Sequence, residues 1–301
     1  MADLAKFNIN GEDYTVKDAT ARETADEAAI NEEYDRQESI GQFAGRSLES
    51  IFADEIATKA NVYEWLHSRI QAGNFSGLRI GDYMDVPITA AANVPAQTVR
   101  YMIAAIDPYY QCSDQPLGHH IAFAPNAPVL VGGTKATNGS NIMWNTTNTN
   151  NGNATTKEPY LASHLHGWEL NDYLPALPSA LQAVLMNYRS LIPQRYGSTA
   201  QSEDTSWAWG DLGKVWSMSE TEVYGQLAWA SKNGYAVGMD CHFPLFSTTA
   251  RRLMGSRVGW WLRSVVGGSS SGVCSVCYEG RASNDAAAGA SLRPRPCFLI
   301  G

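Results

Sequence analysis

The hydrophobic pattern divides the chain into parts. In residues 7–16 (FNINGEDYTV), Phe7, Ile9, Tyr14 and Val16 alternate with polar positions on either side of Asn10-Gly11. Period-two alternation around Asn-Gly predicts a hairpin, because that pair takes the positive φ a tight turn needs. Asp18 is placed to cap an Ala- and Glu-rich helix over roughly residues 19–38. Its apolar side, Ala21, Ala25 and Ala28, is thin, so such a helix is stable mainly against copies of itself or a partner. After Gly41 and Gly45, the residues Leu48, Ile51, Phe52, Val62, Tyr63, Leu66 and Ile70 recur at roughly helical spacing. They predict a second helical region that docks on the main body.

From residue 78 the pattern changes to short strands: 78–88, 99–110 and 120–125. Residues 137–157 hold seven Asn and six Thr and little to bury, which predicts a long loop that is either functional or without fixed structure. Residues 160–192 carry at least one helix, with Pro178 in its first turn and Leu181, Val184, Leu185 and Tyr188 along one face. Residues 214–219 read as a strand, followed by the capping-box pattern Ser219-x-x-Glu222. The end is strand-rich again, at 259–265, 272–281 and 291–301. The sum predicts an α+β fold of short, mostly antiparallel strands with two or three helices, preceded by an N-terminal hairpin and helical arm. The change of character divides the chain into an arm, 1–72, and a strand-rich domain, 73–301.

Charge sharpens that division. Residues 1–60 hold 14 Asp and Glu against 6 Lys and Arg, a net of −8, which is the net charge of the whole chain. The rest is neutral and has no basic face, which argues against nucleic acid as a partner. No stretch approaches the roughly 18 apolar residues of a membrane span, and the first 30 residues lack the apolar core of a secretory signal. The expectation is a protein made in a host cytoplasm, without membrane insertion. Nine Trp and fourteen Tyr suit both a core and a binding surface.

Candidate chemistry adds little. His119-His120 on a strand face opposite ways and cannot share a metal. His164-x-His166, with Glu169 or Asp172 nearby, lies in a helical pattern where a spacing of two diverges; His242 beside Cys241 stands alone. Cys274-x-x-Cys277 is the sharpest candidate, as a redox turn or half a zinc site, but zinc needs a second pair and only Cys112, Cys241 and Cys297 remain. The carboxylates Asp82, Asp85, Glu220, Glu222 and Asp240 have no defined partner geometry. No catalytic residue, metal ligand or cofactor is assigned, and binding is the expected role.

Three segments, RIGDYMDVPI with VRYMIAAID (79–107), GKVWSMSETEVYG (213–225) and GWWLRSV to RPRPCFLIG (259–301), together resemble a domain of phage and prophage tail proteins. That domain is similar to the C-type-lectin-like variable proteins of diversity-generating retroelements. INGEDYTVKDATAR (9–22) resembles the start of tail-fibre and baseplate-attached proteins. The resemblance implies a receptor-binding head on a virion tail tip, a homotrimer, a bacterial surface receptor of protein or glycan, and tail or baseplate partners for the arm. It also implies a variable segment at about 264–291 between fixed strands, rich in residues that adenine-directed mutagenesis of Asn codons can produce. Ser269, Ser271, Val273, Ser275, Tyr278, Arg281, Asn284 and Asp285 would then be ligand contacts, with Trp260, Trp261 and Arg263 as scaffold. Two alternatives belong to other classes: an enzyme of the formylglycine-generating type using Cys274 and Cys277, and a purely structural tail component.

Overall fold

The computed structural model describes residues 6–9, 12–15, 28–37, 44–197, 206–231, 241–253, 257–289 and 292–301. Two compact units result, Met1–Ala44 and Gly45–Gly301. The sequence division at 72/73 marks the change from helical to strand-rich chain, whereas the units of packing divide at Ala44/Gly45.

In the first unit, β1 (Lys6–Ile9) pairs antiparallel with β2 (Glu12–Thr15), with Ile9 opposite Glu12. That register leaves a two-residue connection, as expected of a hairpin; Asn10, Gly11 and the cap candidate Asp18 lie outside the described residues. Residues 28–37 form helix α1. Its side chains are exposed or half-exposed, Ile30 to 53%, and Arg36 holds Glu33 through two bonds of 2.6 and 2.7 Å.

The second unit begins with three short helices, α2 (Leu48–Ile51), α3 (Ala53–Ile56) and α4 (Val62–Gln71). The region expected to be one helical stretch is interrupted before Asn61, whose side chain caps α4 by accepting from the Glu64 amide at 3.0 Å. Strands β3 (Tyr83–Ile88), β4 (Gln97–Ile106) and β5 (Ile121–Pro125) follow. After the Asn/Thr segment come α5 (His164–Trp168), a π-helical turn at Glu169–Tyr173, α6 (Leu174–Ala176) and α7 (Ser179–Val184). Next are β6 (Tyr188–Pro193), β7 (Trp207–Gly213), β8 (Trp216–Ser217), α8 (Glu220–Tyr224) and α9 (Thr249–Leu253). The chain closes with β9 (Trp260–Val265), β10 (Gly272–Val276), β11 (Ala282–Ala286) and β12 (Pro296–Ile300).

A five-stranded sheet runs in the order β3-β4-β5-β12-β8, a three-stranded sheet in the order β11-β10-β9, and β6 pairs with β7. The strand pairs of these sheets are antiparallel. The protein is therefore a mixed α+β fold of antiparallel sheets with few, short helices. Among the described residues no helix is long and apolar enough to cross a membrane.

The helix expected to run through Tyr188 ends at Val184. Leu185 turns extended to bridge Ile300, and the Met186 amide donates to the Leu299 carbonyl at 3.0 Å. Local periodicity favoured continuing the helix; pairing with β12 satisfies backbone groups that the helix would have left facing a strand. The second unit's core includes Tyr101, Ile103, Phe123 and Phe298 on the five-stranded sheet, and Trp144, Trp168, Trp216, Trp260 and Trp261, all essentially inaccessible to solvent.

Candidate binding surface

The expected variable segment supplies β10, β11 and the last two residues of β9, with β10 in the middle of the sheet. Val273 lies opposite Val265 and Asp285, and Ser275 opposite Trp261 and Ser283. Val273 and Ser275 are both 0% exposed, as is Cys274 between them. These two contact candidates are therefore core: a central strand covered on both faces has no solvent side, whatever its alternation suggests. Ser275 spends its hydroxyl on Asp285, at 2.7 Å.

The remaining candidates do not form one patch. Residues 266–271 connect β9 to β10, and 277–281 connect β10 to β11, so the two turns stand at opposite ends of the sheet. At about 3.3 Å per residue, five residues of β10 separate them by roughly 17 Å. Ser269 and Ser271 are half-buried at one end; Tyr278 and Arg281 are exposed at the other. Asn284 and Asp285 are half-exposed on the edge strand, on alternate faces.

The first turn is held by its backbone. Asn150 donates through Nδ2 to the carbonyls of Ser269 (2.9 Å) and Gly272 (2.6 Å), and through its amide to Ser270 (2.9 Å). Arg195 donates through Nη1 to Val266 and Ser269, each at 3.0 Å, and the Gly267 amide reaches the Trp229 carbonyl at 3.0 Å. Ser269 turns its own Oγ back to accept from the Gly272 amide at 2.8 Å. Further along, Trp144 Nε1 donates to Leu262 O (3.1 Å) and Trp261 Nε1 to Ile142 O (2.8 Å). The Ala287 amide meets Ser271 O, and the Asn145 amide meets Ala287 O.

These bonds overturn the expectation for the Asn/Thr segment. Residues 137–157 are a scaffold: Ile142 and Trp144 are fully buried and Asn150 is 0% exposed. Asn suits this task because its amide imitates the backbone groups that a loop leaves unmatched. The clue in the sequence is the pair Ile142 and Trp144 inside an otherwise polar run. Replacing Asn150 by Ala removes one donor from each of two carbonyls, leaving Ser269 O to Arg195 Nη1 and Gly272 O to the Val266 amide, an expected cost of about 1 kcal/mol for each lost bond. Hydrogen exchange should show faster exchange confined to 266–272 and 287, and unchanged rates there would refute the clamp.

The second turn is also fixed from below. Gly280 sits at φ +80, and its carbonyl accepts from Arg252 Nε (2.8 Å) and Tyr224 OH (3.3 Å). A side chain at 280 would strain that left-handed backbone and meet Thr249 Cγ2 at 2.9 Å. Above it, Tyr278 is 56% exposed, and Arg281 pairs with Glu279 at 2.9 Å.

The other candidates are structural in character. Cys274 and Cys277 form no disulfide, and burial pushes the Cys274 thiol well up, away from the reactive thiolate. His166 is buried in α5, 3.6 Å from Glu169, and His119 contacts Asp107 at 2.6 Å. His120 is buried and its pKa lowered by that burial, with Nδ1 at Gly118 O and Nε2 accepting from the Tyr109 amide. Among the described residues no group of three or more His, Cys, Asp or Glu could hold a metal ion.

Beneath the sheet lies a buried charge pair. Trp260, Trp261 and Arg263 are 1%, 0% and 4% exposed. Arg263 grips Glu222 with both arms, Nη1 to Oε2 at 2.6 Å and Nη2 to Oε1 at 2.9 Å. Glu222 completes the capping box on Ser219 and accepts the Tyr109 hydroxyl. The capping box is legible in the sequence; the second task of its glutamate is not.

Residues 136–301 match the family described as a domain of unknown function, DUF6273. The chain belongs to that family. No curated protein and no solved structure matches it. The DUF6273 region begins with the Asn/Thr scaffold and ends with β12, so it contains both turns and everything that holds them. It omits β3, β4 and β5, although β12 lies between β5 and β8.

Proposed function

We propose that the second unit is the receptor-binding head of a phage tail-tip protein, with a C-type-lectin-like arrangement, and that the first unit attaches it to the tail as part of a trimer. The observation that carries this reading is the anchoring of the 266–272 turn through main-chain carbonyls. A segment held by its backbone keeps its conformation while its outward side chains change, which is what a diversified binding surface requires. Tyr278 and Arg281 at the far turn are the residue types most enriched at binding hot spots. Weak contacts at one head gain avidity when several heads engage a surface together.

The test is binding of the purified full chain to cells of the host bacterium, with substitutions restricted to outward positions. Scrambling all of 267–289 would destroy β10 and tell nothing. Tyr278→Ala with Arg281→Ala is expected to weaken binding at least tenfold, or Ser270→Arg with Ser271→Arg to do so if the first turn is the contact, each with an unchanged melting temperature. Full binding by both double variants, or no binding by the parent, would sink the proposal. A near-copy of the coding region for 259–301 beside a reverse-transcriptase gene is the expected genomic companion of diversification. The enzymatic alternative needs a reactive thiolate, and Cys274 is placed where burial opposes one.

A further inference from the structure

A cavity of about 40 Å³ opens between the β6–β7 hairpin, residues 227–231 and the end of β9. A single water needs about 10–15 Å³ of such space, so the cavity admits a group of a few heavy atoms rather than a whole ligand. Its walls are apolar, with Leu191, Pro193, Trp207 and Leu227 prominent. Ser219, Arg263 and Ser264 also line it. Ser219 is 3% exposed. Its Oγ accepts from the Glu222 amide at 3.1 Å, and Ser264 Oγ accepts from the Glu220 amide at 2.9 Å. A hydroxyl that accepts still has its own proton to donate. Neither proton has an acceptor among the described residues, so the cavity offers two donors, Ser219 buried and Ser264 half-buried.

We infer that this cavity binds the N-acetyl group of an acetylated amino sugar. The donors call for an acceptor on the ligand, such as an acetamido carbonyl. Arg263 directs both arms to Glu222, so the wall carries a matched pair of charges and favours a neutral group over a carboxylate. The apolar walls suit a methyl beside that carbonyl, and the Trp207 indole supplies a flat face for the C–H side of a sugar ring. The inference goes beyond the adhesion reading and does not depend on it. A head that binds cells through its turns but ignores N-acetyl sugars would remove only this inference; the reverse result would remove only the other.

Saturation-transfer NMR on the full chain with N-acetylglucosamine, glucose and octanoate decides it. The expected result is transfer to the acetyl methyl protons of N-acetylglucosamine, with none to glucose. Leu227→Trp, which fills the cavity, should abolish the signal. Ser264→Ala, which removes one donor, should raise the Kd about five- to tenfold. Melting temperature serves as the folding control, and Trp207→Phe, which keeps a flat ring, should retain binding. Equal response to glucose, preference for octanoate, or undiminished binding by folded Leu227→Trp would overturn the assignment.

Discussion

A fragment comprising residues 136–301, the whole DUF6273 match, is expected to be unfolded on its own, whereas residues 45–301 fold cooperatively. In the intact chain β12 is an inner strand. Phe298, Leu299 and Ile300 pair with Phe123, Ala122 and Ile121, and all six are 0% exposed. Removing β3–β5 strips that ladder from one side of β12 and opens a face where Phe298 packs against Tyr101, at 4.4 Å between ring centres, and against Phe123, at 5.8 Å. It also removes the Pro125 carbonyl that accepts from buried Arg295 at 2.9 Å. Each large apolar side chain returned to water forfeits about 1.5–3 kcal/mol, and a whole domain is stable by only about 5–15 kcal/mol. Losing the partners of even a few such residues exceeds what the remainder can supply. Near-UV circular dichroism and amide dispersion check this directly: a dispersed spectrum and a cooperative melt from 136–301 would contradict it. The family match would then be a stretch of similar sequence narrower than the unit that folds.

Replacing Arg263 by Met is expected to cost about 3–5 kcal/mol, the usual penalty for stranding one member of a buried ion pair. Glu222 is 0% exposed and would lose both guanidinium bonds, while the Ser219 amide, at 2.8 Å, and the Tyr109 hydroxyl still donate to it. Arg263 also donates to Ser217 O at 3.2 Å, so β8 would lose a tie to β9 as well. The double variant Arg263→Met/Glu222→Gln should recover a large part of the loss, because no uncompensated charge remains. Urea midpoints at constant m-value separate the outcomes. A cost below about 1 kcal/mol for the single variant would place the pair in an effectively solvated setting, where ion pairs contribute that little.

Local signals were legible without any structure. The hairpin of β1 and β2, the capping box at Ser219 and Glu222, and the strands ending in β9, β10 and β12 each follow from residues a few positions apart. The resemblance implies Trp260 and Trp261 as scaffold, and both are buried. The β6–β7 pair has no local signature: β6 sits where the helical periodicity of α7 continues, and no tight-turn pair joins it to β7. Val273 and Ser275 are contacts by the resemblance, and burial on both faces of β10 places them in the core. Period-two alternation distinguishes the two faces of a strand, but says nothing about whether the second face is also covered.

The sequence by itself determined the two-part division of charge, the α+β composition of the body and the local caps and turns, because hydrogen bonding and periodicity act over one turn of helix or one hairpin. The tertiary structure decided which outward positions the C-terminal segment presents and what holds them. Asn150 and Ser269 stand 119 positions apart, yet meet through a side-chain amide and a carbonyl. No pattern along the chain encodes that meeting, since an Asn in a polar run reads as solvated until folding brings an unmatched carbonyl within 3 Å of it.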